Sequence, residues 1–367
     1  NKSSTSIMKQ KVLTITVNWN DHKKTIRCVK SLINTKYSLF DILIIDNNSL
    51  DKDYNILKNK IKKIKKKFHF KEIKKLNFNQ KLYSNNKQNI YLLKIPFNSG
   101  CTGGYNFGYY FGKKSNYKYL SRIDNDCTVD KNYLKQKVTF LDNNKQYIGI
   151  NSKVCYLQKK KYIQWVGAKF ALNLIFHRSV RIFKKTKFDE QIFENLEKNW
   201  KGLIATDTLN GPGSLIRSKA FNKTKFSDID FFFGPEDIEL SYRLKKIGKI
   251  GVYLDSKIFH EVAQSSKFTG QYKRTYYEYK SQILLVDKIY PKIISYFSIF
   301  YFIFNIFLHI IFYIIFPKKN IKFKIKLKII VLIDFFAKKL GVFDLMKENY
   351  NVKNKKIINK YIRLFSK

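Results

Sequence analysis

Residues 11–46 constrain the fold more than any other stretch of this chain. KVLTITVNW (11–19) is a β-branched run that reads as a strand, 21–35 reads as an amphipathic helix, and DILIID (41–46) is a second strand closed by the turn signal Asp46-Asn47-Asn48-Ser49. A helical crossover between two strands joins them in parallel, so the chain opens a βαβ unit and with it a parallel sheet.

The pattern continues. NIYLLK (90–95) predicts a strand running into the glycine-rich Asn98–Gly108, and YKYLSRI (117–123) a strand running straight into Asp124-Asn125-Asp126. A helix near 130–142 and shorter strands to about 175 follow; 176–205 is polar and carries no clear pattern. TDTLNGPGSLIR (206–217) is strand-like, 236–247 is a helix with Leu240, Leu244 and Ile247 on one stripe, and GVYLD (251–255) is a strand leading to Phe259-His260. The Lys/Asn-rich 55–89 stretch has helical bias and reads as a solvated excursion.

Beyond residue 265 the character changes. Ile293–Phe316 holds no Asp, Glu, Lys or Arg; as a helix it is roughly 36 Å long, enough for a ~30 Å hydrocarbon core. Lysines crowd both flanks, which places both ends on the same, cytoplasmic side. A re-entrant or in-plane helix on anionic lipid satisfies both facts. The apolar patch 329–337 is too short to span and belongs at the interface. The division is therefore 11–265, of strands and helices, and 266–367, helical, basic and membrane-associating. No apolar run follows the opening Asn-Lys-Ser-Ser, so no secretory leader is expected from these residues.

Net charge is +45, from 72 Lys and Arg against 27 Asp and Glu. Nucleic acid is not the expected partner: only eight of the 72 are Arg, the residue whose planar fork reads phosphates and base edges. Abundant Ile, Asn, Phe and Tyr mark A/T-rich coding, which accounts for much of the lysine. The remaining charge suits an anionic lipid, nucleotide or glycan. With 44% hydrophobic residues, disorder is excluded. Cys28, Cys101, Cys127 and Cys155 lack C-x-x-C spacing, so a disulfide scaffold or zinc knuckle is not expected and a reducing compartment fits.

Several residues have the chemistry of a site. Asp124 and Asp126, two apart at a strand exit, suit a hard cation that keeps open positions for diphosphate oxygens. Asp46 closes a strand where open parallel sheets bind ligands. The glycines of 100–108 let backbone approach a ligand, or a helix approach a sheet. Glu236-Asp237 opens a helix, where a carboxylate also serves as a cap. His260 follows a strand. Trp165 and Trp200 are candidates for stacking on a ligand, though a core position suits each better.

Taken in order, VNWN (17–20), IIDNNS (44–49), NSGCTGGYNFG (98–108), RIDND (122–126), LNGPGSLIRS (209–218), FFFGPEDIELSYRLKKIG (231–248) and FH (259–260) resemble the inverting glycosyltransferases of family 2, above all the rhamnosyl- and galactofuranosyl-transferase subgroup. The resemblance covers roughly residues 11–262. It implies an α/β GT-A fold, a Rossmann-like nucleotide-diphospho-sugar transferase domain with a mostly parallel central sheet, followed here by the C-terminal helical membrane-associating segment.

The resemblance also implies roles. Asp46 would hold the nucleotide base or ribose, flanked by Asn18 and Asn20, and Asp124 the ribose or donor sugar. Asp126 and His260 would bind Mn²⁺ or Mg²⁺, Asp237 would be the catalytic base, and Glu236 would shape donor or acceptor binding. Asn98, Gly103, Gly104 and Asn106 would line the donor site, while Gly211 and Gly213 would permit close approach of the sugar. Cys101 and Thr102 depart from the hydrophobic or small residues usual there, and the 55–89 stretch is longer than typical.

The expected reaction is single displacement from a UDP- or dTDP-sugar to a lipid-linked or surface glycan, at the cytoplasmic face of a bacterial inner membrane, for capsule, O-antigen or lipooligosaccharide. A homo-oligomer is compatible with this. The alternatives are a processive polysaccharide synthase, which wants several spans where one long apolar segment is present, and an inert basic protein that docks on polyanions.

Overall fold

The computed structural model describes residues 12–64, 68–82, 88–160, 162–173, 176–181, 201–261, 266–349 and 355–366, with the side chains of 171–181 and 266–271 left aside. β1 (Val12–Asn18), α1 (His22–Ile33) and β2 (Phe40–Asp46) form the expected βαβ opening, with β1 and β2 paired parallel from Val12↔Phe40 to Asn18↔Asp46. All seven residues of β2 are buried, as a parallel strand covered on both faces must be. Asp21 starts α1 by accepting the Lys24 amide hydrogen at 3.3 Å.

After α2 (Asp51–Lys62) the 55–89 stretch departs from expectation. Phe68–Ile73 is a strand, β3, pairing parallel with β4 (Gln88–Lys94) at the sheet edge. Its FHFKEI sequence interleaves charge with apolar residues because one side faces solvent, which hid the strand among lysines. α3 (Gly100–Lys114), β5 (Tyr119–Arg122), β6 (Cys127–Val129), α4 (Tyr133–Asn143) and β7 (Tyr147–Tyr156) follow. Then come β8 (Ile163–Trp165), β9 (Ala168–Asn173), β10 (Phe176–Arg181), β11 (Leu203–Ala205), β12 (Leu215–Arg217), α5 (Ala220–Thr224), α6 (Glu236–Lys245) and β13 (Lys249–His260). Most of the strand-like 206–217 stretch is loop, leaving only β12, whereas β13 is longer than expected and includes His260.

The sheet order is β11-β13-β7-β12-β5-β1-β2-β4-β3, with β6 on β13 and β8 on β7. Parallel pairing runs from β3 to β5 and again between β7 and β13, while β12 is antiparallel to both its neighbours. The chain runs outward from β1 through β2 to β4 and then returns to β5 on the other side of β1. The crevice at this switch point is where open parallel sheets bind ligands.

α3 lies on the sheet through glycines four apart. A Cβ on Gly104 would come 2.9 Å from Val17, on Gly108 2.3 Å from Ile15, and on Gly112 2.3 Å from Leu120. Residues i, i+4 and i+8 share one helix face, so this stripe brings the helix backbone against the strands.

Five helices end the chain: α7 (Ser266–Ile289), α8 (Lys292–Ile315), α9 (Lys319–Phe336), α10 (Gly341–Glu348) and α11 (Lys355–Phe365). The boundary at 265 does not separate two cores. Tyr276, Ile283, Phe302, Val331, Tyr361 and Phe365 belong to the same buried cluster as Leu13, Ile15 and Phe107. Tyr361 stacks on Phe107 with ring centroids 5.3 Å apart, and buried Lys280 of α7 pairs with buried Asp344 of α10 at 2.8 Å. The 329–337 patch is the end of α9, with Val331 buried and Ile333 exposed. Trp165 is a buried core residue of β8; Trp200 lies outside the described residues. Among the described residues, α8 is the one helix long and apolar enough to cross a membrane.

Candidate active site

A cavity of about 680 Å³ opens over the switch point. Its walls come from the ends of β1 and β5, the start of α3, the Asn210–Pro212 loop, the start of α6, the end of β13, and residues of α7 and α10.

Asp126 and His260 are 134 residues apart in sequence, and strand register brings them together: β13 pairs antiparallel with β6 so that His260 lies opposite Cys127, beside Asp126. His260 Nε2 lies 3.3 Å from Asp126 Oδ1, and its Nδ1 is 2.9 Å from Gln164 Oε1 on β8. Gln164 thus fixes the ring so that Nε2 faces the carboxylate. Burial works against the imidazolium, but the hydrogen bond and charge of Asp126, with Asp124 and Glu261, outweigh it and raise the His260 pKa.

Asp126, Cys127 and His260 present ligand atoms within 4.8 Å of one another. Burial, then the charge of Asp126, holds the Cys127 thiol well above its ordinary pKa. One carboxylate and one imidazole, both partly open to the cavity, fit a divalent cation that completes its shell with ligand oxygens.

The second centre is built around Arg122. Buried and stacked on Tyr105 (3.9 Å from guanidinium carbon to ring centroid), it pairs with buried Glu236 at 2.8 Å and with Asp124 at 3.2 Å. The Tyr105 hydroxyl donates to Asp124 at 2.6 Å. Gly211 lies against the guanidinium, where a Cβ would come within 2.6 Å of Arg122 Nη2. Its amide donates to Asp237 Oδ2 at 2.8 Å, and Ile238 N–H donates to Oδ1 at 2.9 Å. Burial first, then the charge of Glu236, push Asp237 up to about 6, with Arg122 and these two amides pulling the other way. A carboxylate whose pKa approaches neutrality is suited to accept a proton.

Of the residues singled out from sequence, Asn98, Asp124, Asp126, Gly211, Glu236, Asp237 and His260 line this one cavity. The others lie outside its lining. Asp46 and Asn18 are fully buried beneath it: Asn18 Nδ2 donates to Asp46 Oδ2 at 2.8 Å, and burial raises the Asp46 pKa against the bonds from Asn18 and Ser49. Asn20 has a left-handed backbone (φ 53°), with its amide bonded to Ser49 and its side-chain carbonyl accepting from Leu50.

Gly103 faces Ser99 and the Tyr361 hydroxyl, and Gly104 faces Val17, so both serve helix packing. Buried Asn106 bonds the Ser227 backbone through both amide atoms, at 2.8 and 3.0 Å. Gly213 (φ +89°) sits against Asn151 and Ile258, and its carbonyl accepts from buried Lys137 at 2.7 Å.

Other lining residues had not been singled out: Trp19, Asn47, Arg122, Gln164, Lys273, Arg274 and Tyr277. Asn47 ties the site to the Asn98 loop by donating to Asn98 Oδ1 and the Gly100 carbonyl, each at 3.0 Å. Asn349, just past α10, clasps the same loop. Its Oδ1 accepts from Asn98 N–H at 2.7 Å and its Nδ2 donates to the Asn98 carbonyl at 2.6 Å. Cys101 Sγ lies 3.6 Å from Glu236, and its burial keeps it a thiol. Thr102 turns away to the Phe231 carbonyl.

Comparison with known proteins supports the fold. The sequence model of the family Glycosyl transferase family 2 matches residues 14–195. Among solved structures, GalNAc-T7 with UDP, GalNAc and Mn²⁺ is similar in fold, with a TM-score of 0.53 and 16% identity, over 76% of this chain and 48% of that one. S. aureus TarS 1-349 follows at a TM-score of 0.47 and 15% identity, over 76% and 65%. The chain thus spans about half the length of the GalNAc-T7 chain. No curated protein matches the sequence. With its switch-point cavity on a mostly parallel GT-A sheet and the matched motifs along β1 to β7, the chain belongs to glycosyl transferase family 2.

Proposed function

We propose that the protein transfers a sugar, with inversion, from a nucleotide-diphosphate donor to a hydroxyl of a membrane-borne bacterial surface glycan. One observation carries this reading: a single cavity holds a carboxylate raised to about 6, Asp237, together with a cation-binding pair, Asp126 and His260. Asp237 takes the proton of the acceptor hydroxyl as that oxygen attacks the anomeric carbon. Gly211 and Ile238 amides fix its carboxylate and, with Arg122, favour its ionised form against burial and the charge of Glu236.

When bound, Mn²⁺ or Mg²⁺ held by Asp126 and His260 would neutralise charge developing on the departing diphosphate. Arg122, anchored by Glu236 and Asp124, keeps a positive charge beneath the same space. A single general base beside a leaving-group site suits one displacement, so no glycosyl-enzyme intermediate is invoked. UDP- or dTDP-sugars are the donors proposed, and α8 with its lysine flanks supports action at an anionic cytoplasmic leaflet.

The test is transfer from a panel of UDP-, dTDP- and GDP-sugars into membrane extracts, with the anomeric configuration of the product read by NMR. Inversion by the native chain and loss of turnover in Asp237→Asn, with donor binding retained, are the expected results. Retained configuration, or undiminished turnover by Asp237→Asn, overturns the mechanism.

A further inference from the structure

The C-terminal helices contribute a wall of the cavity that carries two cations, Lys273 and Arg274, and one carboxylate, Glu348. Lys273, Arg274 and Tyr277 of α7 line the same space as Asp237 and Asp126. Each cation is held by a single glutamate: Lys273 Nζ meets Glu348 at 2.8 Å, and Arg274 Nε meets Glu278 at 2.7 Å. Lys273 is 53% exposed, and both members of the Arg274 pair are open to solvent, so the contacts are weak and replaceable. A phosphate offers more charge than a carboxylate and matches the planar Arg fork bidentately. Tyr277 stiffens this wall by stacking on Phe232, with ring centroids 5.3 Å apart.

The neighbouring helix indicates where such a phosphate would come from. α7 and α8 are joined only by Tyr290-Pro291 and run antiparallel: Ser295 bonds Asp287 at 2.9 Å, and further along Phe302 meets Tyr279 at 6.1 Å. Each step back along α7 is a step forward along α8, which brings Lys273 and Arg274 level with Phe307 and Leu308. From that level to its end no residue of 307–316 is buried. Phe312 is 52% and Ile314 73% exposed.

The 307–316 end is roughly 15 Å long, about half a hydrocarbon core, and it continues an apolar face already exposed at Ile293, Tyr296, Phe297 and Phe300. Exposed Lys318, Lys319 and Lys322 follow it directly, and Tyr272 against Phe323 (5.8 Å) ties the start of α9 to the cavity end of α7. Apolar tip, lysine collar and the cavity wall of Lys273 and Arg274 thus lie at one end of the helical hairpin.

We propose that Lys273 and Arg274 form an anion subsite for the phosphate of a lipid that carries the acceptor sugar, with the 307–316 tip of α8 seated in one leaflet beside it. The inference rests on the glycosyltransferase reading above and deepens it by naming the acceptor's chemistry: a sugar joined through phosphate to a membrane-embedded chain. The donor's diphosphate belongs to the Asp126–His260 side of the cavity.

The test uses the full chain and the double variant Lys273→Ala/Arg274→Ala, once the two are shown to melt alike. Flotation is measured with vesicles of phosphatidylcholine alone, with added phosphatidylglycerol, and with added polyprenyl diphosphate; UDP and dTDP binding with Mn²⁺ is measured by calorimetry. The native chain should prefer polyprenyl diphosphate vesicles over phosphatidylglycerol vesicles. The double variant should lose that preference, about tenfold or more in affinity, while keeping its phosphatidylglycerol and nucleotide binding.

Undiminished affinity of the variant for polyprenyl diphosphate, or equal binding of both anionic vesicles by the native chain, overturns the subsite. Loss of nucleotide binding instead assigns the two cations to the donor and equally overturns it. A native chain that binds UDP or dTDP but not polyprenyl diphosphate refutes the subsite and leaves the glycosyltransferase reading intact; one that binds polyprenyl diphosphate but neither nucleotide refutes that reading.

Discussion

Replacing Asp237 by Asn should stabilise the protein at neutral pH while abolishing its chemistry. Burial and the Glu236 charge move the carboxyl from 3.8 to about 6, which corresponds to about 3 kcal/mol against the ionised form. The native state therefore binds this proton more tightly than the unfolded chain. Between roughly pH 4 and 6 stability falls as pH rises, and above that range the full penalty is present. Asn carries no charge and so escapes it, but keeps only one of the two oxygens that accept from Gly211 and Ile238, a loss of about 1 kcal/mol. The net gain is about 1–2 kcal/mol, or a few degrees in melting temperature. Calorimetry of both proteins at pH 7.5 and near pH 4 reads it directly. Asp237→Asn should melt higher at pH 7.5, and its advantage should vanish near pH 4. A variant less stable at pH 7.5, or an equal difference at both pH values, refutes the assignment of Asp237 as a partly buried carboxylate of raised pKa.

Activity should show the same group. The transfer rate should fall on acidification with a midpoint near pH 6, and Glu236→Gln, by removing the neighbouring negative charge, should move that midpoint lower; a pH–rate profile of each settles it. Gly108→Ala forces a methyl to within 2.3 Å of Ile15 and should cost about 1–3 kcal/mol in urea unfolding without altering UDP affinity. Lys280→Met leaves Asp344 as an uncompensated buried charge and should cost about 3–5 kcal/mol. Lys280→Met/Asp344→Leu should recover much of that loss in the same urea titration.

Local pattern carried the parts of the fold that it physically determines. β1, α1 and β2 were legible because burial on both faces forces continuous apolar strands and a helix between them forces parallel pairing. β3 was not, since an edge strand with one wet side looks like its lysine-rich surroundings. Within the site, strand-end Asp124 and Asp126 and helix-start Glu236 and Asp237 were legible because their positions at element ends give carboxylates somewhere to point. Gly103, Gly104 and Asn106 were misplaced for a specific reason: glycines spaced for helix packing and glycines spaced for ligand approach look alike in sequence. Arg122 was passed over because its meaning lies in Glu236, 114 residues further on, and Gln164 because only the β7–β8 pairing brings it to His260. Lys273 and Arg274 were two basic residues among 72; only the packing of α7 over the cavity sets them apart.

The most direct test of the central claim is calorimetric binding of UDP-, dTDP- and GDP-sugars to the native chain and to Asp126→Ala, with Mn²⁺, with Mg²⁺ and with chelator. Binding of one donor class that requires the cation and is lost in Asp126→Ala is the predicted result. Donor binding that is equally strong in chelator and in Asp126→Ala would contradict the account of a metal-held leaving group at Asp126 and His260.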